Sequence, residues 1–336
     1  NFQLAPQPEN APGLLKIIKS LVYLSLIMPL VVHTGFIFPF VFPKILYFQI
    51  FIEIALVFWI FLMLKDERFR PKWNLLTKAL VLFFVVMTVA SIFGVNFYKS
   101  FFSNFERSDG LFTLAHFLAF LFIVSSCFRT RKDWNILLGV AVGISLMVSF
   151  YGLFQKVGWV QTFQGGESRL DSTTGNPAYL AAYLIFGLFF SLYLALKASS
   201  KVWKVIWWLA FVFQLIIIYF TATRGAILAL FVGGLLFLLS FLFFWGGRKM
   251  IKAVVAVLLL LAIVFAFFVW LNKDASFVKN SPGLQRLTTI SLKDPTTRTR
   301  LLAWRLSWRG FLDRPVLGWG WENYNVLFNK HFDPEL

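Results

Sequence analysis

Five polar residues in this largely apolar chain have the chemistry of an anion-binding site. Arg169 and Asn176 lie in one polar loop, Arg224 lies in a very short loop, and Arg298 and Arg300 belong to a basic, tryptophan-rich C-terminal segment. A guanidinium keeps its charge and matches phosphate oxygens with two parallel hydrogen bonds, which suits a pyrophosphate better than a proton relay. These residues therefore predict a site for an anionic substrate.

The polar loop ends at a predicted helix start. Asn176 has the side chain of an N-cap, and Pro177 suits the first position of the helix that follows. One interpretation is an ordinary cap. The other is that the helix N-terminus, near Arg169 and four hydroxyl side chains, faces an anion. Both can hold for one residue.

Arg224 is expected at a membrane boundary, because almost no loop separates the apolar stretches on either side of it. A guanidinium so close to hydrocarbon is costly unless it snorkels to water or has a partner. Arg224 is therefore either a snorkelling anchor or an anion ligand, and we favour the ligand.

A helical wheel at 100° per residue divides the C-terminal segment into two faces. One face carries Arg300 with the aromatic residues Trp304, Trp308 and Phe311, and the other carries Arg298, Arg305 and Arg309. An arginine on the aromatic side points into the protein or towards the acyl boundary, where it needs an anionic partner. We therefore predict that Arg300 binds substrate, with a structural ion pair as the alternative.

The elements that hold these residues are predicted to be membrane helices. Of the 336 residues, 59% are hydrophobic, 19% are aromatic and only 14% are charged, which excludes a soluble domain. A transmembrane helix needs about 20 apolar residues, and about nine stretches qualify. These stretches are 14–40, 45–64, 75–93, 111–128, 136–157, 178–196, 205–221, 226–245 and 251–271. We expect an all-α polytopic membrane protein with a disordered cytoplasmic tail (1–13), a helix bundle (14–271) and a helical extracytoplasmic loop (272–336).

The net charge is +17. The basic residues are sorted by the side of the membrane on which they are expected, and are not concentrated as in a nucleic-acid-binding protein. Basic residues cluster at alternate ends of the predicted helices, which places the N-terminus in the cytoplasm and the candidate arginines outside. The long outer loop is nevertheless basic, and an anionic, lipid-borne substrate would explain this. The bilayer is a predicted partner, and nucleic acid is not.

Glu53, His33 and His116 are less informative, since a lone ionisable group in a bundle is more often a packing residue than a catalyst. Cys127 is the single cysteine and cannot form an internal disulfide. No spacing typical of metal ligands occurs, so we predict neither a metal site nor a cofactor.

Four motifs together resemble the bacterial O-antigen ligase and O-antigen polymerase family. In chain order they are Glu106-Arg-Ser-Asp-Gly-Leu-Phe-Thr, Thr174-Gly-Asn-Pro-Ala-Tyr-Leu-Ala-Ala-Tyr-Leu, Thr223-Arg-Gly-Ala and Arg300-x3-Trp-x10-Pro-Val-Leu-Gly-Trp-Gly-x3-Tyr. The resemblance implies a GT-C-like glycosyltransferase that moves a glycan from undecaprenyl pyrophosphate to an acceptor outside the cytoplasmic membrane. It implies no nucleotide sugar and no metal.

The same resemblance assigns the pyrophosphate to Arg224 and Arg300, and less directly to Arg298. It also implies a histidine base in a His-Asn motif. His331 is followed by Phe332, so that motif and further helices are expected beyond Leu336. The acceptor is lipid A core, another lipid-linked glycan or a protein hydroxyl. Direct displacement would invert the anomeric carbon.

A flippase or other transporter of lipid-linked oligosaccharides remains the alternative, because it would also be polytopic, basic and rich in aromatic residues. A transporter is expected to place polar groups along a midplane path. Here they concentrate at the outer face, which favours the transferase. A noncatalytic scaffold would leave Arg224 without a purpose.

Overall fold

The computed structural model describes residues 12–104, 106–161, 163, 169–244, 249–288 and 295–334, and every regular element in them is helical. The α-helices are α1 Pro12–Ser25, α2 Phe42–Lys65, α3 Leu75–Ile92, α4 Phe97–Phe102, α5 Leu111–Cys127, α6 Arg131–Lys156, α7 Pro177–Lys197, α8 Lys201–Phe220, α9 Arg224–Phe244, α10 Lys249–Leu271, α11 Ser276–Lys279, α12 Pro282–Thr288, α13 Pro295–Asp313 and α14 Tyr324–Lys330. Short 3-10 turns lie at Met28–Leu30, Glu67–Phe69 and Ser172–Thr174. Most of the predicted tail 1–13 lies outside the described residues.

Within the described residues, seven helical segments are long and apolar enough to cross a membrane. They are Gly13–Leu30, α2, α3, α6, α7, α8 and Lys252–Leu271. Two further apolar helices are shorter, Leu111–Cys127 and Arg224–Ser240. The chain is thus an all-helical, multi-pass membrane protein, and nine spans and a GT-C-like arrangement remain predictions.

The apolar stretch 14–40 does not form one helix, contrary to expectation. α1 ends at Ser25, and a 3-10 turn at Met28–Leu30 follows it. Pro29 has no N–H to donate to the carbonyl of Ser25 four residues earlier, and its ring would clash with that carbonyl. Hydropathy alone did not show this break.

The chain divides into two compact units, and the division falls within α6. Unit 1 comprises Asn1–Val140 and Leu292–Leu336, and unit 2 comprises Ala141–Ser291. The C-terminal helices belong to the same unit as α1–α5, and the division into a tail, a membrane bundle and an outer loop stays a prediction.

The core of unit 1 is apolar, with one ion pair at its edge. Ile18, Ile52 and Ile123 are fully buried where α1, α2 and α5 meet. Lys19 Nζ lies 2.6 Å from the carboxylate of Asp133 at the start of α6. The pair joins α1 to the start of α6.

The packing of unit 2 depends on a glycine facing a polar pair. Ser145 of α6 donates to the Oε1 atom of Gln214 of α8 at 3.0 Å, and both side chains are buried. Gly187 of α7 faces them, and a Cβ there would lie 2.2 Å from that Oε1 atom. Only glycine lets α7 approach the pair so closely.

Candidate functional site

Arg169 joins the polar loop before α7 to the turn between α8 and α9. Its Nε donates to the carbonyl oxygen of Thr221 at 3.1 Å, and a terminal guanidinium nitrogen lies 3.4 Å from Thr223 Oγ1. The hydroxyl of Thr223 in turn donates to the carbonyl oxygen of Pro177 at 3.2 Å. The polar loop with its helix start and the short turn before Arg224, both singled out in the sequence, therefore meet at one end of unit 2.

Two helix N-termini lie side by side at this place. Asn176 caps α7, because its Oδ1 accepts the N–H of Ala178 at 2.8 Å, as predicted. α9 begins at Arg224, and the carbonyl of Thr223 accepts the N–H groups of its first turn. The hydrogen bond from Thr223 to Pro177 joins the two helix starts. Each start carries a partial positive charge, so the pair favours an anion.

Arg224 is half-buried and stands directly after a turn of three residues, Thr221 to Thr223. Thr221 and Ala222 in this turn are fully buried, and Ala222 adopts the left-handed region with φ 48°. A buried alanine in that region leaves the turn few alternative conformations. Arg224 thus stands at the start of a helix that only three residues separate from α8, in agreement with the very short loop expected from the sequence.

A buried carboxylate, Asp171, lies two residues after Arg169 in the described part of the polar loop. Asp171 accepts from Gln155 Nε2 at 2.9 Å and from the N–H of Phe163 at 2.8 Å, and it is fully buried. Gln155 also accepts the N–H of Ser172 at 2.7 Å. No sequence pattern singled out Gln155, because it belongs to the apolar helix α6. Through its bonds to Asp171 and Ser172, Gln155 joins the residues that follow Arg169 to α6.

The segment that follows α10 also reaches the end of α8. Tyr219 and Ser281 share a hydrogen bond through their hydroxyl groups. Gly283 packs on the ring of Tyr219, where a Cβ would lie 2.5 Å from Cε2. No sequence pattern singled out these residues, since a glycine and a serine carry no periodic signal.

Arg298 and Arg300 lie in α13 of unit 1, and both are exposed. The wheel predicted that the side shared by Arg300 and the aromatic residues points into the protein or towards the acyl boundary. Trp304 is 71% exposed and Trp308 is 62% exposed. That side therefore does not point into the protein. Arg169, Asn176 and Arg224 are brought together within unit 2.

Comparison with known proteins assigns the C-terminal part of the chain. The model of the family described as O-antigen ligase matches residues 209–336. This range begins in α8 and includes Arg224, Arg298 and Arg300. Residues 209–336 are thus similar to the O-antigen ligase family. This similarity supports a relation to membrane glycosyltransferases of the O-antigen ligase or polymerase type. Searches of curated proteins and of solved structures found no significant match.

Within the O-antigen ligase region, residues 318–323 bind the end of α3, and we call them the GWGWEN segment. The carbonyl of Trp319 accepts the N–H of Val95 at 3.1 Å. The N–H of Trp321 donates to Ser91 Oγ at 3.2 Å, and its indole Nε1 donates to the carbonyl of Asp109 at 2.7 Å. Two of the four family motifs thus meet in unit 1, through residues far apart in the chain.

The GWGWEN segment approaches α3 and α4 very closely. The Cβ of an alanine at Gly94 would lie 2.8 Å from Gly320 Cα. Asn323 is buried and donates through Nδ2 to Ser100 Oγ at 3.0 Å, and Ser103 donates to Glu322 at 2.9 Å. Such contacts fix the C-terminal part of the O-antigen ligase region on unit 1.

Two histidines of unit 1 lie beside carboxylates, His331 beside Asp313 and His116 beside Glu53. His331 Nε2 lies 2.6 Å from Asp313 Oδ2, and Lys330 Nζ lies 2.8 Å from the same atom. Hydrogen bonds from Lys330 and then His331 lower the pKa of Asp313 below its ordinary value. His116 Nε2 lies 3.0 Å from Glu53. Among the described residues, no group of three or more His, Cys, Asp or Glu side chains could hold a metal ion.

Proposed function

We propose that this protein transfers a glycan from undecaprenyl pyrophosphate to an acceptor hydroxyl outside the cytoplasmic membrane. One observation carries the proposal. Arg169 and Arg224 lie at the paired helix starts of unit 2, and Arg224 belongs to the O-antigen ligase region. Two guanidinium groups and two helix N-termini suit a group with several negative charges.

The donor is already activated as a pyrophosphate ester, so the transfer mainly needs stabilisation of the leaving group. The acceptor oxygen attacks the anomeric carbon, the bond from that carbon to the pyrophosphate oxygen breaks, and a base takes the hydroxyl proton. Negative charge grows on the departing undecaprenyl pyrophosphate, and preorganised cations stabilise it. Attack opposite the leaving group inverts the anomeric carbon. The arginines supply the charge without a metal ion.

The candidate residues have different parts in this proposal. Arg224 binds the pyrophosphate directly, because it stands at the first position of α9 beside the capped start of α7. Arg169 adds charge and, through Thr221 and Thr223, keeps the turn in place. Asn176 orients the start of α7.

Arg300, and less directly Arg298, are proposed as further donor contacts on the strength of the family resemblance. The predicted topology places the N-terminus in the cytoplasm and the site on the periplasmic side. The acceptor is lipid A core, another lipid-linked glycan or a protein hydroxyl.

The test is glycan transfer from a purified lipid-linked donor, at matched protein levels, by wild type, Arg224→Lys and Arg224→Ala. The lysine variant keeps the charge but lacks the planar fork, so it should lose most of the transfer, and the alanine variant should lose all of it. Arg131→Ala is the control, since Arg131 is exposed at the other end of α6 from the polar loop.

Near-normal transfer by Arg224→Ala would show that Arg224 is a snorkelling anchor. Movement of the intact donor across the membrane without any glycan product would instead favour the transporter.

A further inference from the structure

One long face of α13 is apolar and has no partner in the described part of the chain. Its members are Leu301, Trp304, Trp308, Phe311 and Leu312, all of them exposed. They follow one another at helical spacing and form a single stripe. We call these five residues the α13 stripe. A stripe with two tryptophans is unusual on a surface that meets water.

The opposite face of α13 already has its partner. Leu306 is 2% exposed, and a Cβ at Gly310 would overlap the side chain of Leu327 in α14. Ser307 Oγ and Tyr324 Oη lie 3.0 Å apart on the same side. α13 is thus fixed on α14 by one face, so the stripe points away from unit 1.

Exposed arginines border the stripe on both sides. At 100° per residue, Arg305 and Arg309 follow one edge of the stripe, and Arg300 lies at the other edge. Arginine can lay its stem along apolar surface and keep its charged group among lipid phosphates. An apolar stripe with tryptophan and a cationic border is typical of a helix that lies in a membrane interface.

The depth of α13 agrees with such a location. The GWGWEN segment, which follows α13 in the chain, binds Ser91 and Val95 at the end of α3. α3 is one of the helices long enough to span a membrane, so its end marks the boundary of the hydrocarbon. Trp319 also donates its indole N–H to the carbonyl of Gly310 at 2.9 Å. This bond holds the end of α13 near Gly310 at the same depth in the membrane.

We propose that the α13 stripe lies among the lipids of the leaflet at the C-terminal end of α3, with Arg305 and Arg309 on anionic headgroups. The occupant of the stripe is the lipid surface of the protein's own membrane. Arg300 then stands at the level of lipid phosphates. This docking does not require that the protein transfer glycans, so it goes beyond the proposed function.

The test places an environment-sensitive fluorophore on the stripe in the full chain, reconstituted in phosphatidylglycerol-containing vesicles. Trp308→Cys carries the label, and Asn329→Cys on α14, which is exposed, is the matched control. The wild-type chain treated in the same way reports any label on the buried Cys127. We expect blue-shifted emission from position 308 and at least twofold stronger quenching by lipids with a nitroxide near the headgroup than at position 329.

Two results would overturn the proposal. Water-like emission at position 308 would mean that the stripe does not enter the bilayer. Blue-shifted emission without quenching by nitroxide lipids would mean that protein, not lipid, covers the stripe. Because no donor glycan is present, neither result depends on whether the protein is a transferase.

The charged border has a separate test. Arg305→Ala combined with Arg309→Ala should lower the quenching at position 308 at least twofold in phosphatidylglycerol vesicles, and much less in vesicles of neutral phosphatidylcholine. Equal quenching of the parent and the double variant in both vesicles would refute the role of anionic headgroups.

Discussion

Replacement of Gly94 by alanine should release the GWGWEN segment from the end of α3. The new Cβ would lie 2.8 Å from Gly320 Cα, 2.8 Å from the carbonyl oxygen of Trp319 and 3.1 Å from that of Ala90. All three are backbone atoms, so no side-chain rotation relieves the overlap. The segment must move away, or α3 must bend.

The free-energy cost of the substitution has two parts, the steric overlap and the hydrogen bond that the movement of the segment breaks. Overpacking by one methyl group costs about 1–3 kcal/mol. Loss of the hydrogen bond from Val95 to Trp319 adds about 1 kcal/mol. A total of about 2–4 kcal/mol would raise the open population of the segment about 30-fold to about 1,000-fold.

Hydrogen exchange of the Val95 amide measures this opening directly, because that N–H is donated to Trp319. Exchange should accelerate by the same factor in Gly94→Ala, and glycan transfer should fall because α13 is no longer fixed. Gly143→Ala in α6 is the control, since nothing lies within 4 Å of the new Cβ. Unchanged protection of Val95 in Gly94→Ala, or equal loss in both variants, would refute the close contact.

Three further predictions concern stability. Gly187→Ala should destabilise unit 2 by about 1–3 kcal/mol in detergent unfolding, because the new Cβ would overlap Gln214. A variant as stable as the wild type would contradict this packing. Glu53→Leu should cost about 1–3 kcal/mol by leaving His116 Nε2 unpaired, whereas Glu53→Gln keeps a hydrogen-bonding side chain opposite that nitrogen. Equal stabilities of the two variants would argue against the pair. The lowered pKa of Asp313 means that its stabilisation of the α13–α14 contact is complete above the unfolded pKa of about 3.9 and is lost as pH falls through the lower folded value. Proteolysis of α14 should therefore increase at low pH in wild type but not in Asp313→Asn, and a parallel increase in both would refute the linkage.

The sequence determined those features that depend on neighbours along the chain. Composition alone required a multi-pass helical membrane protein, since so apolar a chain cannot remain in water. The Asn176 cap and the short turn before Arg224 were predicted because capping and turn length are local properties. The first helix was predicted too long, because a hydropathy count ignores the hydrogen bond that Pro29 cannot make.

Only the tertiary structure decided which distant groups meet. The bonds from Arg169 to Thr221 and from Trp321 to Asp109 join residues far apart in the chain. Neither leaves a periodic trace, because each is a single directional bond between an irregular segment and a helix end. The wheel grouped Arg300 with the aromatic residues, but only the packing of Gly310 against Leu327 shows which side of α13 is covered by α14. A helix's own sequence defines its faces, whereas the shape of its neighbours determines which face is buried.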